Sequence, residues 1–408
     1  MQSVPKSLRL QILFTGRINA GKSSVVNLLS GQNTAIISAE RGTTTDVVEK
    51  AMELRPLGPV LLLDSAGTDD TTTLGALRVE RTHLAMERAD ILVIVTTPGV
   101  WDTPEIELLE KAEALKLPVL TVVNKCDTSA VDDGFIAKLT ELTGTAPVLT
   151  TAADNSAENR DCFIEALIGT LLKIIPEDQL QTPPLLNDLL PSGGHIVMMV
   201  PIDTQAPKGR LILPQVQAIR DALDGEAICT VAKENAFPEI YSRFTSKPDL
   251  VICDSQVVRR MIDTLPDGVK CTTFSILMAR LKGDLEQLSR GARAIAGLKE
   301  NDLVLIAEAC THHAGNDDIG KVKIPMLLQK KCGCKLNFEF FSGTDFPADL
   351  EKYKLVIHCG GCMLNRKAML NRLARVAAAK VPVTNYGICI SYCTDVLDRV
   401  LTPFKLER

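Results

Sequence analysis

Aromatic residues and long apolar stretches are both scarce in this chain of 408 residues. Phe, Trp and Tyr together account for 4% of the sequence, so aliphatic side chains and alanine must fill its cores. No segment reaches the roughly 18 consecutive apolar residues that a membrane span requires, and the first residues lack the apolar stretch and cleavage site of a signal peptide. We therefore expect a cytoplasmic protein with no membrane partner.

An excess of positive charge is missing as well. The 45 Lys and Arg residues are outnumbered by 50 Asp and Glu, which leaves a net charge of −5. A broad phosphate-binding surface needs the opposite balance, so no nucleic-acid partner is expected. Histidines number only five, whereas cysteines number 12. Because the cytosol keeps thiols reduced, we expect these cysteines to be buried or to bind metal rather than to form disulfides.

The length and the order of the predicted elements indicate an α/β protein with three domains. Residues 1–175 alternate β-rich runs with helical periods, which is typical of a mostly parallel sheet covered by helices. Prolines at 176, 183, 184 and 191 predict a linker over 176–193. The small β/α series over 194–266 has three predicted strands, and its unpaired edge or apolar face predicts a homodimer. Another α/β series follows over 267–408.

A phosphate-binding loop is predicted directly after the first strand. The segment Gly16-Arg-Ile-Asn-Ala-Gly21-Lys22-Ser23 follows that strand and opens a helix, as such a loop requires. Its backbone N–H groups can surround phosphates, while Lys22 reaches the β- and γ-phosphates and Ser23 binds Mg²⁺. The loop residues expected to contact the nucleotide are Gly16, Asn19, Ala20, Gly21, Lys22, Ser23 and Ser24.

Asp64 and Gly67 end the buried strand over residues 60–63. A carboxylate at the end of a strand can hold the Mg²⁺ shell, and the Gly67 N–H can bind a γ-phosphate. We therefore expect both residues beside the phosphate loop.

The base-binding residues are predicted at the ends of two later strands. Asn124, Lys125 and Asp127 lie in the segment Asn-Lys-Cys-Asp that follows one of them. A carboxylate there can accept hydrogen bonds from the ring N–H and exocyclic amine of guanine, an arrangement that adenine does not offer. A backbone N–H near Thr151 and Ala152 could bind the guanine oxygen. The expected nucleotide is therefore GTP.

Together these motifs resemble the TrmE–Era branch of the translation-factor-like GTPases. The patterns GxxNxGKSS, GTTxD, DxAG and NKxD all occur within residues 14–130. The resemblance implies that Thr44 binds Mg²⁺, with Thr43 as the alternative, and that Asn19 helps to hold K⁺. Thr68 stands where Ras-like enzymes place a glutamine, so K⁺ could supply charge for a slow hydrolysis. The residues expected to act in hydrolysis are Lys22, Thr44 and Gly67.

Cysteine and histidine are concentrated after two strands of the third domain. Cys310, His312 and His313 follow the predicted strand 303–309, and His358, Cys359 and Cys362 follow the strand that ends at residue 357. If the two strands are parallel neighbours, both groups meet at one edge of a sheet. Such ligands suit zinc, or an iron–sulfur cluster held by three thiolates and an exchangeable fourth position. We interpret Cys332 and Cys334 as flanking a helix-capping glycine, and Cys389 and Cys393 as residues of the core or of the layer behind the metal ligands.

The pattern CxH…HCxxC behind a GTPase and a small middle domain resembles the HydF family, the maturation GTPases of iron–iron hydrogenases. This resemblance implies a dimerisation domain and a domain that binds a 4Fe–4S cluster. It also implies a scaffold that receives a diiron precursor from two radical-SAM maturases and delivers it to the apo-hydrogenase. The implied cluster thiolates are Cys310, Cys359 and Cys362. His312 and His358 are candidates for the fourth iron, and His313 lies outside the pattern.

Two other functions fit parts of the sequence. An RNA-directed GTPase of the TrmE–Era branch could carry a structural zinc site, although the acidic balance and the lack of an evident RNA-binding module count against it. A GTPase that inserts a single ion such as nickel would be expected to carry more than five histidines. The identity of the bound metal distinguishes the three functions.

Overall fold

The computed structural model describes residues 4–31, 47–69, 73–176, 184–201, 211–309, 318–343 and 346–406. The chain divides into two compact units, Met1–Thr182 and Pro183–Arg408. The boundary between the two units, at residues 182 and 183, therefore lies inside the predicted linker over 176–193. Within the described ranges, no helix combines the length and apolar character that a bilayer crossing requires.

The first unit is a six-stranded sheet covered on both faces by helices. The strand order is β2-β3-β1-β4-β5-β6, and only β2 runs antiparallel to its neighbour. The strands are β1 (Leu10–Thr15), β2 (Val48–Leu54), β3 (Gly58–Asp64), β4 (Ile91–Thr96), β5 (Val119–Val123) and β6 (Val148–Leu149). The helices are α1 (Lys22–Ser30), α2 (Thr73–Arg88), α3 (Thr103–Ala114), α4 (Asp133–Thr143) and α5 (Ala157–Ile174).

The predicted parallel sheet of this unit is confirmed. Central strands such as β4 are buried along their entire length, which is why they read as continuous apolar runs. Strand β2 was not predicted, because this edge strand is half-exposed and charged residues interrupt the apolar ones in its sequence, VEKAMEL. The two faces of the sheet carry separate apolar cores.

The second unit contains two four-stranded sheets, both entirely parallel. Their strand orders are β10-β9-β7-β8 and β12-β11-β13-β14. The first sheet is formed by β7 (His195–Val200), β8 (Ile228–Lys233), β9 (Leu250–Cys253) and β10 (Cys271–Thr273). The second is formed by β11 (Leu303–Glu308), β12 (Asn337–Ser342), β13 (Leu355–His358) and β14 (Val383–Asn385). Strand β10 adds to the three strands that the sequence predicts for the middle segment, and it lies beyond the predicted boundary near residue 267.

Helices surround these two sheets. They are α6 (Leu213–Asp224), α7 (Phe237–Ser242), α8 (Val258–Thr264), α9 (Phe274–Lys282), α10 (Leu285–Arg293), α11 (Ile324–Cys332), α12 (Arg366–Ala378), α13 (Tyr386–Cys393) and α14 (Leu397–Val400). Helices α9 and α10 are separate, because Gly283 is extended and Asp284 caps α10 by accepting the Gln287 N–H.

Helix α9 belongs to the cores of both sheets. Phe274 and Leu277 pack in the core of the β7–β10 sheet, whereas Ile276 and Ala279 pack in the core that includes β11, β13 and β14. The C-terminal end of α9 then reaches the loop after β13 through Lys282. One helix thus joins the middle segment to the segment that carries the cysteines.

Candidate functional site

The phosphate loop occupies the turn between β1 and α1, as predicted. Gly21 is the N-cap of α1 and has a φ of 89°, and a Cβ there would lie 2.2 Å from Asn124 Nδ2. Asn19 has a φ of 65° and is exposed. Ala20 is buried beneath the loop, while Ser24 is exposed on the first turn of α1. The loop therefore has the tight backbone that phosphate binding requires.

Lys22 holds its charge inside this loop. Its Nζ donates to the carbonyl oxygens of Gly16 at 3.1 Å and Arg17 at 2.7 Å, and the residue is 7% exposed. Burial lowers the pKa of Lys22, although the carboxylates of Asp64 and Asp69 oppose that shift. A buried cation of this kind favours an anionic ligand at the loop.

Ser23 and Asp64 lie together at the position expected for Mg²⁺. Ser23 Oγ donates to Asp64 Oδ2 at 2.5 Å, while Asp64 Oδ1 is buried without a hydrogen-bond partner in the described ranges. Burial raises the pKa of Asp64. A divalent cation would satisfy the unpaired oxygen and favour the ionised carboxylate, so these donors fit Mg²⁺. Thr44 and Thr43 lie outside the described residues.

Gly67 brings the turn after β3 against the phosphate loop. A Cβ at this position would lie 2.7 Å from the Ile18 backbone nitrogen, which leaves no room for a larger residue. The Thr68 N–H donates to the Gly16 carbonyl at 3.2 Å. The two turns are thus packed backbone to backbone, as the predicted role of Gly67 requires.

Asn124 connects the base-binding segments to the phosphate loop. Its Nδ2 donates to the Ala20 carbonyl at 2.9 Å, and its Oδ1 accepts the Ala152 N–H at 2.9 Å. Lys125 has a φ of 64°, and Asp127 is exposed beyond it. Thr151, half-buried, accepts a hydrogen bond from Asn159 at its carbonyl. The structure therefore places the predicted base-binding residues around one turn.

Arg17 is a residue of this site that the sequence analysis missed. Its guanidinium binds Glu105 Oε1 and Asp102 Oδ2, both at 2.8 Å, and Glu105 is fully buried. Asp102 and Glu105 also form the capping box of α3. Arg17 thereby fixes the phosphate loop to the helix that follows β4. Its position in the motif is variable, so the pattern contained no signal for this contact.

The second candidate site follows β13. Strands β11 and β13 are parallel neighbours with Ala307 opposite His358, so the condition for a shared sheet edge is met. Cys310, His312 and His313 lie outside the described residues. The Ala309 N–H, one residue before Cys310, donates to Cys359 Sγ at 3.1 Å. Ala309, the last described residue before Cys310, therefore lies beside the Cys359 sulfur.

The loop over residues 359–364 presents its two cysteines near a turn. Cys359 Sγ also accepts the Gly361 N–H at 3.4 Å, and both cysteines are half-buried. Two N–H donors on one sulfur stabilise a thiolate, the form that binds iron. No group of three metal-binding side chains forms among the described residues, which do not include Cys310. The donor chemistry that is described fits an iron–sulfur cluster or zinc.

His358 is not available as a ligand in this structure. Its Nδ1 donates to the Cys359 carbonyl at 2.8 Å, and its Nε2 accepts from Arg372 Nη1 at 2.9 Å. Burial, together with the Arg372 charge, lowers the pKa of His358 to about 4, so the ring is neutral at pH 7. Both nitrogens are engaged, and the structure does not support His358 as the fourth ligand. It supports a role in holding the end of β13.

Lys282 and Glu308 are two further charged residues that the sequence analysis missed. Lys282, 2% exposed, donates from Nζ to the carbonyls of Gly361, Cys362 and Leu364 at 3.0, 3.2 and 2.8 Å. Burial lowers the pKa of Lys282 to about 8. Glu308 is 4% exposed at the end of β11 and accepts hydrogen bonds from Tyr386 and Ser342. Neither residue lies in a motif, so only the fold reveals them.

The other cysteines of the third segment occupy the places that the sequence predicts. Cys332 ends α11, and Gly333 follows with a φ of 69° as its C-cap. Cys389 is buried on α13, and Cys393 is the last residue of the same helix. These four cysteines lie within or against one apolar core.

Three family models match the chain. They describe a 50S ribosome-binding GTPase over residues 11–125, the hydrogen maturase F dimerization domain over 185–283 and the hydrogen maturase F tetramerization domain over 286–403. The first match confirms the predicted P-loop GTPase domain. The other two cover most of the second unit.

Curated relatives match chiefly the GTPase segment. A tRNA modification GTPase MnmE from Nitrosomonas eutropha is 32% identical over 168 residues, which is 41% of this chain and 35% of the relative. The MnmE of Synechocystis sp. is 32% identical over 249 residues, or 58% of this chain and 51% of the relative. The chain thus spans between about a third and a half of these two relatives.

Solved structures resemble the chain over a similar extent. Era from Aquifex aeolicus is 19% identical with a TM-score of 0.35, over 58% of this chain and 98% of that structure. A probable GTP-binding protein engB is 18% identical with a TM-score of 0.32, over 41% of this chain and 99% of that structure. The models that match the second unit are the more specific finding, and the chain belongs to the hydrogen maturase F family.

Proposed function

We propose that this chain is a GTP-hydrolysing scaffold of iron–iron hydrogenase maturation that binds a 4Fe–4S cluster and carries a diiron precursor. The observation that carries the proposal is the contact between Ala309 N–H and Cys359 Sγ at 3.1 Å. It brings Ala309, the residue before Cys310, to the CxxC loop, in a unit that matches two maturase domains. The proposed thiolates are Cys310, Cys359 and Cys362, with His312 as the remaining histidine candidate for an exchangeable fourth position.

The nucleotide is held by the first unit. In this proposal Lys22 and the loop N–H groups bind the phosphates, and Asn124, Asp127 and the turn at Ala152 bind guanine. Mg²⁺, when bound, would neutralise charge on the β- and γ-phosphates, and Ser23, Asp64 and Thr44 would hold it. K⁺ beside Asn19 would supply further positive charge. Hydrolysis is slow because Thr68 cannot orient water as a glutamine does.

The partners follow from the family and remain proposals. We expect a cytoplasmic homo-oligomer built on a homodimer, two radical-SAM maturases as donors of the diiron cargo, and an apo-hydrogenase as its acceptor. The nucleotide state would bias the protein between receiving and releasing cargo. That bias requires cargo affinity or release rate to differ between the GTP- and GDP-bound forms. Identical affinities and rates in both forms would contradict it.

The direct test is the iron and acid-labile sulfide content of anaerobically reconstituted protein. We expect about four of each per chain, largely lost in Cys359→Ser. Cys162→Ser is the matched control, because Cys162 is an exposed thiol of the first unit and should leave iron unchanged. Equal iron in the two variants would refute the assignment of Cys359.

A second candidate is supported by the match to tRNA modification GTPases over the first unit. In that case the cysteines would hold a structural zinc ion and the GTPase would act on RNA. Stoichiometric zinc without sulfide, even after reconstitution with iron, would favour this candidate. The net charge of −5 argues against it.

A further inference from the structure

We infer that Lys282 is the positioning residue and counter-charge of the cysteine loop, and that it joins the loop to the middle segment through α9. This inference rests on the proposed function for the part that concerns the cluster. Its structural part, the ordering of the loop, does not depend on any bound metal.

The contacts of Lys282 are those of a residue that shapes a loop. A single Nζ donates to three carbonyls within four residues, those of Gly361, Cys362 and Leu364. An ammonium has three N–H donors, so all of them are used. Lys282 therefore holds the backbone of Cys362 in place, although this cysteine lies in a loop rather than in a helix or strand.

The side chain of Lys282 is buried. Among the described residues, no ion pair involves Lys282, and its side chain binds the Cys362 carbonyl and lines one small cavity together with Cys359. An isolated buried charge is costly, whereas a charge with an anion beside it is compensated. Cluster thiolates would supply that negative charge. Lys282 would in return stabilise the more reduced, more negative state of a cluster at this loop.

Lys282 also belongs to a different segment from the loop that it holds. It lies within residues 185–283, which match the dimerization domain, whereas the loop lies within 286–403. A second contact follows the same route, since Arg366 Nη1 donates to the Leu281 carbonyl at 2.6 Å. The end of α9 is thus attached to the second half of the loop and to the first residue of α12, and the same helix packs on the β7–β10 sheet.

The test compares three variants of the full chain. Lys282→Met removes the charge and the donors at similar length, and Lys282→Arg keeps both. Lys354→Met makes the first change at an exposed lysine of the same unit. Circular dichroism first establishes that each variant is folded.

The first measurement is amide hydrogen exchange of residues 359–365 in metal-free protein. We expect exchange about tenfold faster in Lys282→Met, because several carbonyl contacts are lost. Lys282→Arg should stay within about threefold of the wild type, and Lys354→Met should not change. Unaltered exchange in Lys282→Met would overturn the positioning role. The exchange measurement does not depend on iron. If the wild type bound no iron, the proposed function would fail and the positioning role of Lys282 would still be tested.

The second measurement is the reduction potential of the reconstituted cluster, followed by electron paramagnetic resonance. Loss of the positive charge in Lys282→Met should make the potential more negative, while Lys282→Arg and Lys354→Met should match the wild type. If Lys282 had only a structural role, Lys282→Met would lower the stability of the protein and leave the reduction potential of the cluster unchanged. Equal potentials in Lys282→Met and the wild type would overturn the counter-charge role.

Discussion

The phosphate loop and the loop that carries Cys359 both follow the carboxyl end of a parallel strand, β1 in one unit and β13 in the other. They differ in how their ligand groups are supported. The phosphate loop is fixed mainly by residues of the recognised motifs, since Lys22 binds the loop carbonyls and Asn124 binds Ala20, and Arg17 is the exception. The cysteine loop is fixed by Lys282, while Arg366 and Arg372 bind Leu281 and His358 beside it, and none of these three residues belongs to a motif.

The two sites also differ in the ligand atoms that they present. The nucleotide site presents hard oxygen donors at Ser23 and Asp64, whereas the cysteine loop presents soft sulfur donors. A nucleotide brings many atoms for a contiguous motif to recognise. A cluster binds through few atoms, so the placement of each thiolate depends on the surrounding fold. The motifs therefore account for most of the support of the first site, with Arg17 as the exception, and for little of the support of the second.

The largest effect is expected from Lys22→Ala, which should break the nucleotide site and leave the cysteine loop intact. Removal of a preorganised charge at the phosphates should lower the GTP hydrolysis rate at least about 100-fold. Iron content after reconstitution should match the wild type. A GTPase assay and an iron assay on one preparation check both statements. A parallel loss of iron would contradict the separate support of the two sites.

The next effect is expected from Arg17→Ala, because Glu105 is fully buried and would lose its cationic partner. We expect a loss of about 2 kcal/mol in the unfolding free energy of the first unit. Lys6→Ala is the control, since Lys6 is an exposed residue of the same unit whose ion pair with Glu49 should contribute much less to stability. Denaturant titration followed by the single tryptophan, which lies in the first unit, measures the difference. Equal losses in the two variants would contradict the role of Arg17.

A smaller effect concerns the monovalent cation. GTP hydrolysis should be about tenfold faster in K⁺ than in Na⁺, because a K⁺ ion beside the phosphates would stabilise transition-state charge. Asn19→Ala should abolish the difference while GTP binding persists. Rates compared at equal ionic strength test this prediction, and equal rates in both salts for the wild type would refute it.

The smallest effect on metal content is expected from His358→Gln. Both ring nitrogens of His358 are hydrogen-bonded to the protein, so its replacement should cost stability rather than iron. We expect iron content within about a tenth of the wild type and a loss of about 1–2 kcal/mol in unfolding free energy. Iron as low as that of Cys359→Ser would instead make His358 a ligand.

The sequence predicts those parts of the fold and sites that depend on local patterns. The phosphate loop, the strand that ends at Asp64 and the parallel pairing of β11 with β13 all follow from continuous apolar runs and turn residues. Arg17 and Lys282 could not be predicted, because their partners lie 88 and about 80 residues away in the chain. Such distant contacts are set by packing, which periodicity does not encode.

His358 shows that a local sequence pattern can also suggest a ligand whose side chain points away from the site. Its proximity to Cys359 in the sequence suggests a ligand, yet the pleat of β13 turns its ring into the core toward Arg372. Successive residues of a strand point to opposite faces. Sequence proximity to a cysteine was therefore a poor guide to the direction of the imidazole.

The most direct test of the account is the activation of an iron–iron hydrogenase apoprotein. The wild-type chain and Cys359→Ser are each co-expressed with the two radical-SAM maturases, purified without oxygen and mixed with the apoprotein, and hydrogen evolution is measured. The account predicts hydrogen evolution after mixing with the wild-type chain and little or none with Cys359→Ser. Equal activation by both proteins, or none by either while an authentic maturase succeeds, would contradict the proposed function.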